Sequence, residues 1–266
     1  MVHGTGLTLV SFGDKSCRSA KARLKKQALV SGYFDNIWVL SEKDLDTRFA
    51  ERHSPILRAS VRGFGYWIWK PQVIKQSLSQ LREGETLLYL DVGCHILPTE
   101  AMGVRRYLRM VSMDGPGVLS SELSVIEKHW TKMDLLTHFN VESQAEIIDS
   151  PQRQATVIFL RKCPESVRLI ESWAHVCDQF VNLIDDSPSA NPNSEGFVEH
   201  RHDQSVFSVL SKLSGAGTFS ETEIMQWDPT IEKMKGSFPI QARRDRYSFS
   251  RKARTQIRRW SRVLTY

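Results

Sequence analysis

The sequence predicts an α/β fold: one domain on a mostly parallel central sheet flanked by helices, followed by a basic C-terminal tail. Three observations carry that prediction. Strand, helix and strand alternate within the first forty residues, the rhythm of a parallel sheet with helical crossovers. Leu87-Leu88-Tyr89-Leu90 is an apolar, strand-like run that stops at Asp91, with Gly93 two residues on. A carboxylate at the C-terminal tip of a buried strand sits where open α/β sheets bind ligands. Finally, 266 residues that are 41% hydrophobic and 25% charged can bury a full core as an ordinary globular protein.

Leu7 to Phe12 reads as the first buried strand, closed by Gly13-Asp14. Ser19 to Val30 is a helix with Ala20, Leu24 and Ala28 on one side and basic residues elsewhere. Asn36 to Leu40 is the second strand. Pro71 suits the first turn of a helix running to about Leu81, because its missing N–H would be unpaired there anyway. Glu83-Gly84-Glu85 turns the chain into the Leu87–Leu90 strand. Val118-Leu119 and Thr156 to Leu160 are further strand segments. Pro164 to Phe180 is a long helix with Val167, Ile170, Trp173, Ala174 and Cys177 at helical spacing. Asp185 to Gly196 is a loop that holds little able to pack. Asp203 to Leu213 is a helix with Val206, Phe207, Val209, Leu210 and Leu213 inward. From Gly215 onward the pattern is irregular, except that Arg251 to Val263 could form a helix with Ile257, Trp260 and Val263 as a narrow apolar stripe. There is no internal repeat, so residues 1–240 read as one domain and 241–266 as the tail.

The net charge of +6 is uneven. Between Gln241 and Arg262 lie nine basic residues and a single acid, Asp245, a surplus of eight that leaves the remainder at −2. The basic character belongs to the tail, and nucleic-acid binding by the whole domain is not implied. No apolar run approaches the ~20 residues that span a bilayer. Met1-Val2-His3-Gly4 does not open a secretory signal. Cys17, Cys94, Cys163 and Cys177 form no CxxC pair and are expected to be free thiols. A cytoplasmic location is expected, with the tail free to attract anionic lipid.

Four stretches carry chemistry. Asp91 has oxygens suited to a hard cation such as Mg²⁺ or Mn²⁺, which could bridge the phosphates of a leaving nucleoside diphosphate. An aspartate after a strand also opens turns, and this stretch alone does not separate the two roles. Arg62-Gly63-Phe64-Gly65-Tyr66-Trp67-Ile68-Trp69-Lys70-Pro71 brings cations, glycines and aromatics together just before a helix. That suits an anion and a stacked ring, and it equally suits a buried aromatic plug. Glu199-His200-Arg201-His202-Asp203-Gln204-Ser205 opens a helix after the loop. Either histidine could complete a metal site with Asp91, and Asp203 could hold an acceptor hydroxyl, cap the helix, or both. His129-Trp130-Thr131-Lys132-Met133-Asp134 is polar and aromatic, as at a saccharide site or on a helix surface. A Ser-His-Asp hydrolase is poorly supported, since no Gly-x-Ser-x-Gly elbow occurs.

Taken in order, these blocks resemble a group of bacterial glycosyltransferases with a GT-A-type nucleotide-diphospho-sugar transferase fold. The matching pieces are Phe12-Gly13-Asp14, Gly65-Tyr66-Trp67-Ile68-Trp69-Lys70-Pro71 with Arg62 before it, Leu88 to Cys94, Trp130-Thr131-Lys132, Gln154-Ala155 and His200-Arg201-His202-Asp203-Gln204-Ser205. They span about residues 7 to 213. The resemblance implies a nucleotide-sugar donor, UDP-linked, and a glycan or lipid-linked acceptor of the kind used in surface polysaccharide assembly. It also implies Phe12, Gly13 and Asp14 near the base, with Trp67 in the same donor site and Arg62 and Lys70 near the diphosphate. Asp91 would hold Mn²⁺ or Mg²⁺ with His202, while Gln154, Asp203 and Gln204 face the donor sugar or acceptor. Two departures stand out: Gly93 replaces the second acid of Asp-x-Asp, and His95 stands where an acid is expected. A metal-independent variant using Lys70 and Arg62 is the alternative. A different class of reading is a binding module without turnover, docking through the Arg-rich tail on an acidic membrane or, less well supported, on nucleic acid.

Overall fold

The computed structural model describes residues 6–97, 102–113, 115–224 and 239–243. From the N-terminus, β1 (Leu7–Phe12), α1 (Arg18–Ser31) and β2 (Asn36–Leu40) form the predicted strand–helix–strand unit. Then come α2 (Thr47–Arg52), the short turn α3 (Gly63–Tyr66), α4 (Trp69–Ser79) and β3 (Thr86–Leu90). β4 (His95–Ile96), α5 (Met102–Ser112), β5 (Val118–Ile126), α6 (Met133–His138) and α7 (Ala145–Ile148) follow. β6 (Pro151–Arg161), α8 (Pro164–Gln179), α9 (Asp203–Leu213), β7 (Gly217–Ser220) and β8 (Ile240–Gln241) complete the order.

Six strands form one sheet in the order β2-β1-β3-β6-β5-β7. β6 runs antiparallel to both its neighbours, and the other pairings are parallel. β1 and β3 are buried along their whole length. Helices cover both faces of the sheet, which is why apolar residues point to both sides of these strands. On one face, Val10, Phe12, Leu87, Tyr89, Ile158 and Leu160 pack against α4, α8 and α9 through Ile74, Trp173 and Phe207. On the other, Leu7, Leu9, Leu88, Leu90, Val157 and Phe159 pack against α1 and α5 through Leu24, Tyr107 and Val111.

β2 pairs with β1 on one side and β3 pairs with it on the other, so the strand order reverses at β1. The C-terminal ends of β1 and β3 therefore flank a crevice, where such sheets take their ligands. α1 ends cleanly at Gly32, whose φ of +67° is a left-handed helix cap.

Pro71 lies in the first turn of its helix as expected, and that helix runs from Trp69 to Ser79. One expectation needs correction. The segment beyond Gly215 is not irregular throughout: Gly217–Ser220 extends the sheet beside β5, and Ile240–Gln241 pairs with His95-Ile96. That second pairing buries Gln241 and Ala242 in the body of the domain. The expected helix at Arg251–Val263 lies outside the described residues. All four cysteines are free, as expected, and all are buried.

Candidate active site

A charge triad, with two members buried and Asp91 partly exposed, joins β3, α4 and α9. Asp91 follows β3 directly, Lys70 is the second residue of α4, and Asp203 is the first residue of α9. The Lys70 Nζ lies 3.2 Å from Asp91 Oδ1 and 3.1 Å from Asp203 Oδ2. It also donates to the Ala155 carbonyl at 3.1 Å. The ammonium thus meets two carboxylates as ion pairs and one carbonyl as a hydrogen bond. Tyr89, two residues back on the same strand face, donates its hydroxyl to Asp91 Oδ1 at 2.7 Å. Burial alone would lower the Lys70 pKa, but the two carboxylates outweigh it and hold the ammonium above its ordinary value. Burial pushes Asp203 up to about 6, with Asp91 adding to the rise, while Lys70 and the Gln204 amide oppose it. Asp203 is thus not the helix cap: His202 occupies the cap position. The Asp203 carboxylate pairs with Lys70 instead.

The Gly63–Trp67 stretch owes its sequence to an unusual backbone. All five residues have positive φ: 61°, 56°, 92°, 53° and 60° from Gly63 to Trp67. For non-glycine residues a left-handed conformation costs roughly 1–2 kcal/mol each, so Phe64, Tyr66 and Trp67 are held by their surroundings. Trp69 Nε1 donates to the Gly63 carbonyl at 2.9 Å, and the Phe12 and Trp69 rings lie 4.2 Å apart. A Cβ on Gly63 would fall 2.3–2.5 Å from the Trp67 indole; glycine is needed there for the close approach as well as for φ. The aromatic cluster is therefore both plug and wall. Phe12 and Trp69 are buried, and Trp67 reaches the ligand crevice.

The opposite wall is the segment after α8. Arg62 Nη1 lies 3.2 Å from Asp186 Oδ1, and its Nη2 lies 3.8 Å from Glu199 Oε2; all three side chains are about half exposed. His202 stacks on Trp67 with centroids 5.3 Å apart. Its Nδ1 lies 2.7 Å from the Ile184 carbonyl, which can only accept, so Nδ1 carries the proton. Nε2 faces Asp186 Oδ1 at 3.6 Å. Burial lowers the His202 pKa, which favours the neutral ring. Sequence reasoning gave this segment little to pack with, yet it is firmly tied. Lys132, 2% exposed, donates to the carbonyls of Asn182, Asp185 and Ser187. Asp134 accepts from the Ala190 and Asn191 amides at 2.7 and 2.9 Å. The Trp130–Asp134 stretch therefore holds the loop, with Lys132 turned inward. Trp130 meets Arg201, whose guanidinium lies 3.9 Å from the ring centre.

Two adjoining chambers result. The first is lined by Phe12, Gly13, Asp14, Phe64 and Trp67. The second is lined by Arg62, Trp67, Lys70, His202, Asp203 and Gln204. Trp67 and Asp91 line both. The His129–Asp134 stretch lines neither chamber, and nor does Gln154. Gln154 is buried in β6, where its carboxamide oxygen accepts from Ser121 Oγ at 2.9 Å. Two others have duties within the protein: Asp14 accepts from the Ser16 amide at 2.8 Å, and Gln204 donates to Gln152 Oε1 at 2.9 Å. Sequence reasoning missed Tyr89 and Asp186. The first was legible, because residues two apart on a strand share a face.

The expected Mn²⁺ or Mg²⁺ can be tested against the residues present. Asp91 Oδ1 already receives the Lys70 ammonium and the Tyr89 hydroxyl, and Gly93 supplies no second carboxylate. Among the described residues, no three His, Cys, Asp or Glu side chains converge as metal ligands. The donor set at Asp91 does not fit a divalent ion.

No protein-family model and no curated relative matches this chain. Solved structures do resemble it. The apo structure of the bifunctional glycosyltransferase WbbM superposes with a TM-score of 0.50 at 11% identity, covering 91% of this chain and 46% of that one. Apo mouse xyloside xylosyltransferase 1 gives 0.46 at 11% identity, with 89% and 97% covered. The galactosyltransferase LgtC, in complex with donor and acceptor sugar analogs, gives 0.43 at 10%, with 88% and 86% covered. At such identities the likeness concerns the fold alone. The chain has a GT-A-like α/β fold of the kind seen in glycosyltransferases.

Proposed function

We propose that this chain is a glycosyltransferase that moves a hexose from a nucleotide sugar, UDP-linked, to a glycan or lipid-linked acceptor. The observation that carries the proposal is the Asp91–Lys70–Asp203 triad beside two adjoining chambers, one aromatic and one charged. The aromatic chamber, with Phe12 to Asp14 at the tip of β1, suits a nucleoside. The charged chamber suits the diphosphate and the sugar, with Arg62 facing the phosphates.

In the transfer, an acceptor hydroxyl oxygen bonds to the anomeric carbon. The bond from that carbon to the diphosphate oxygen breaks, and its electron pair stays on the leaving diphosphate. The hydroxyl proton goes to a carboxylate if the configuration inverts. Asp203 suits that task, because a carboxylate held at about 6 is ionised at neutral pH yet basic enough to take a proton. Lys70, paired with both carboxylates, fixes them in place rather than gripping phosphate.

The proposal sets the enzyme in the cytoplasm, at the inner face of a membrane. The Arg-rich end would supply about 1 kcal/mol per basic residue held near anionic lipid. Calorimetric titration with UDP and GDP, followed by a screen of UDP-sugars for turnover, tests the reading. Binding of UDP with release of a sugar is expected. Failure to bind either nucleotide would overturn it.

A further inference from the structure

The poor fit of the acidic site to a divalent ion points to where its cations come from. Lys70 is a resident cation. Its side chain is 5% exposed, it bridges Asp91 and Asp203, and it donates to a β6 carbonyl. Arg62 differs in every respect. It stands at the mouth of the charged chamber, about half exposed, and its present partners are two half-exposed carboxylates on the facing segment, Asp186 and Glu199. A guanidinium is a planar fork whose geometry matches phosphate as well as carboxylate. A diphosphate entering the chamber brings more negative charge than either carboxylate and can replace them on Arg62, the two half-exposed carboxylates turning to solvent.

We propose that the two roles of the expected metal ion are divided between side chains: Lys70 holds Asp91 and Asp203 in register, and Arg62 transfers from Asp186 and Glu199 to the diphosphate, so that nucleotide binding needs no divalent cation. The inference rests on the nucleotide-sugar reading above and specifies its chemistry. As the bond to the anomeric carbon breaks, the charge growing on the leaving diphosphate falls on the Arg62 guanidinium, already paired and unable to be deprotonated. Asp186 and Glu199 then return to solvent or to other partners.

Two measurements on the full chain test this. Mn²⁺ is titrated against the protein alone, with the signal of free Mn²⁺ followed by electron paramagnetic resonance. UDP is titrated by calorimetry in EDTA and again in excess Mn²⁺. The expected results are no stoichiometric Mn²⁺ binding and UDP affinities that agree within about twofold. Arg62→Gln should lower UDP affinity about tenfold or more, with no recovery in Mn²⁺. One Mn²⁺ bound per chain and released by Asp91→Asn would overturn the inference. So would UDP binding strengthened about tenfold or more by Mn²⁺. The Mn²⁺ titration needs no nucleotide, so a chain that binds neither UDP nor Mn²⁺ refutes the donor reading, whereas one that binds both in a coupled way refutes only the division of roles.

Discussion

The Lys70 ammonium and the Asp203 carboxylate lie 3.1 Å apart with each side chain at most 5% exposed. Neither could stay charged there alone. A buried pair of this kind is weak evidence of net stability, but breaking it leaves one charge stranded. Lys70→Met should therefore destabilise the protein by roughly 3–5 kcal/mol. Lys70 also holds the Asp203 pKa down against burial, so its removal should move Asp203 above its native value of about 6. Carboxyl carbon NMR of the variant checks that direction; an unmoved titration would mean the pair is not formed in solution.

The same shift sets a pH dependence of stability. Asp203 titrates at about 6 in the folded chain against an ordinary 3.8, so the folded state binds more protons in that window. Its contribution is fully present below 3.8 and lost as the pH rises towards and through 6. Urea midpoints of wild type and Asp203→Asn across that window check it: the wild-type stability should fall with rising pH relative to the variant. Equal slopes would leave Asp203 with an unperturbed pKa.

Gly63 and Gly84 separate backbone strain from crowding. Both have positive φ, 61° and 85°. A Cβ at Gly84 meets nothing within 4 Å, whereas at Gly63 it meets the Trp67 indole at 2.3 Å. Gly84→Ala should lose only the left-handed penalty of about 1–2 kcal/mol. Gly63→Ala should lose more and should displace Trp67 from the wall between the two chambers. Trp fluorescence and UDP affinity should change at Gly63 alone. If the two variants behave alike, the Trp67 contact contributes nothing.

Much of this was legible in the chain, for identifiable reasons. Leu7–Phe12, Asn36–Leu40 and Asp203–Leu213 were predicted with the observed bounds because each has a strong apolar pattern closed by turn or capping residues. β6 was underestimated: Gln152 and Gln154 are buried by hydrogen bonding, which hydrophobic periodicity does not register. β7 was missed because Gly-Thr-Phe-Ser buries one residue and exists through its pairing with β5. Asp91, Lys70 and Asp203 were each picked out, but a sequence does not reveal that the lysine stands between the two acids. The loop after α8 looked unable to pack because its contacts are polar, from backbone carbonyls and amides and from Asp186, Ser189 and Asn193, and apolar patterning does not register them.

That loop yields the last prediction. Lys132 donates to the carbonyls of Asn182, Asp185 and Ser187 from a position 2% exposed. The same turn presents the Ile184 carbonyl to His202 and carries Asp186, the partner of Arg62. Lys132→Met keeps the length and apolar bulk but removes the donor these carbonyls share, and since Asn182 keeps the Ser187 hydroxyl, the loss should be about 1–3 kcal/mol in all. Because Asp134 still holds the Ala190 and Asn191 amides, the damage should be local to the turn. Hydrogen exchange should speed up around 182–187 and at His202, while the β1 and β3 amides keep their protection. UDP affinity should shift with it, since Arg62 would lose its fixed partner and His202 its orienting carbonyl. Uniformly faster exchange across the sheet would instead make Lys132 a general core residue with no particular claim on the site.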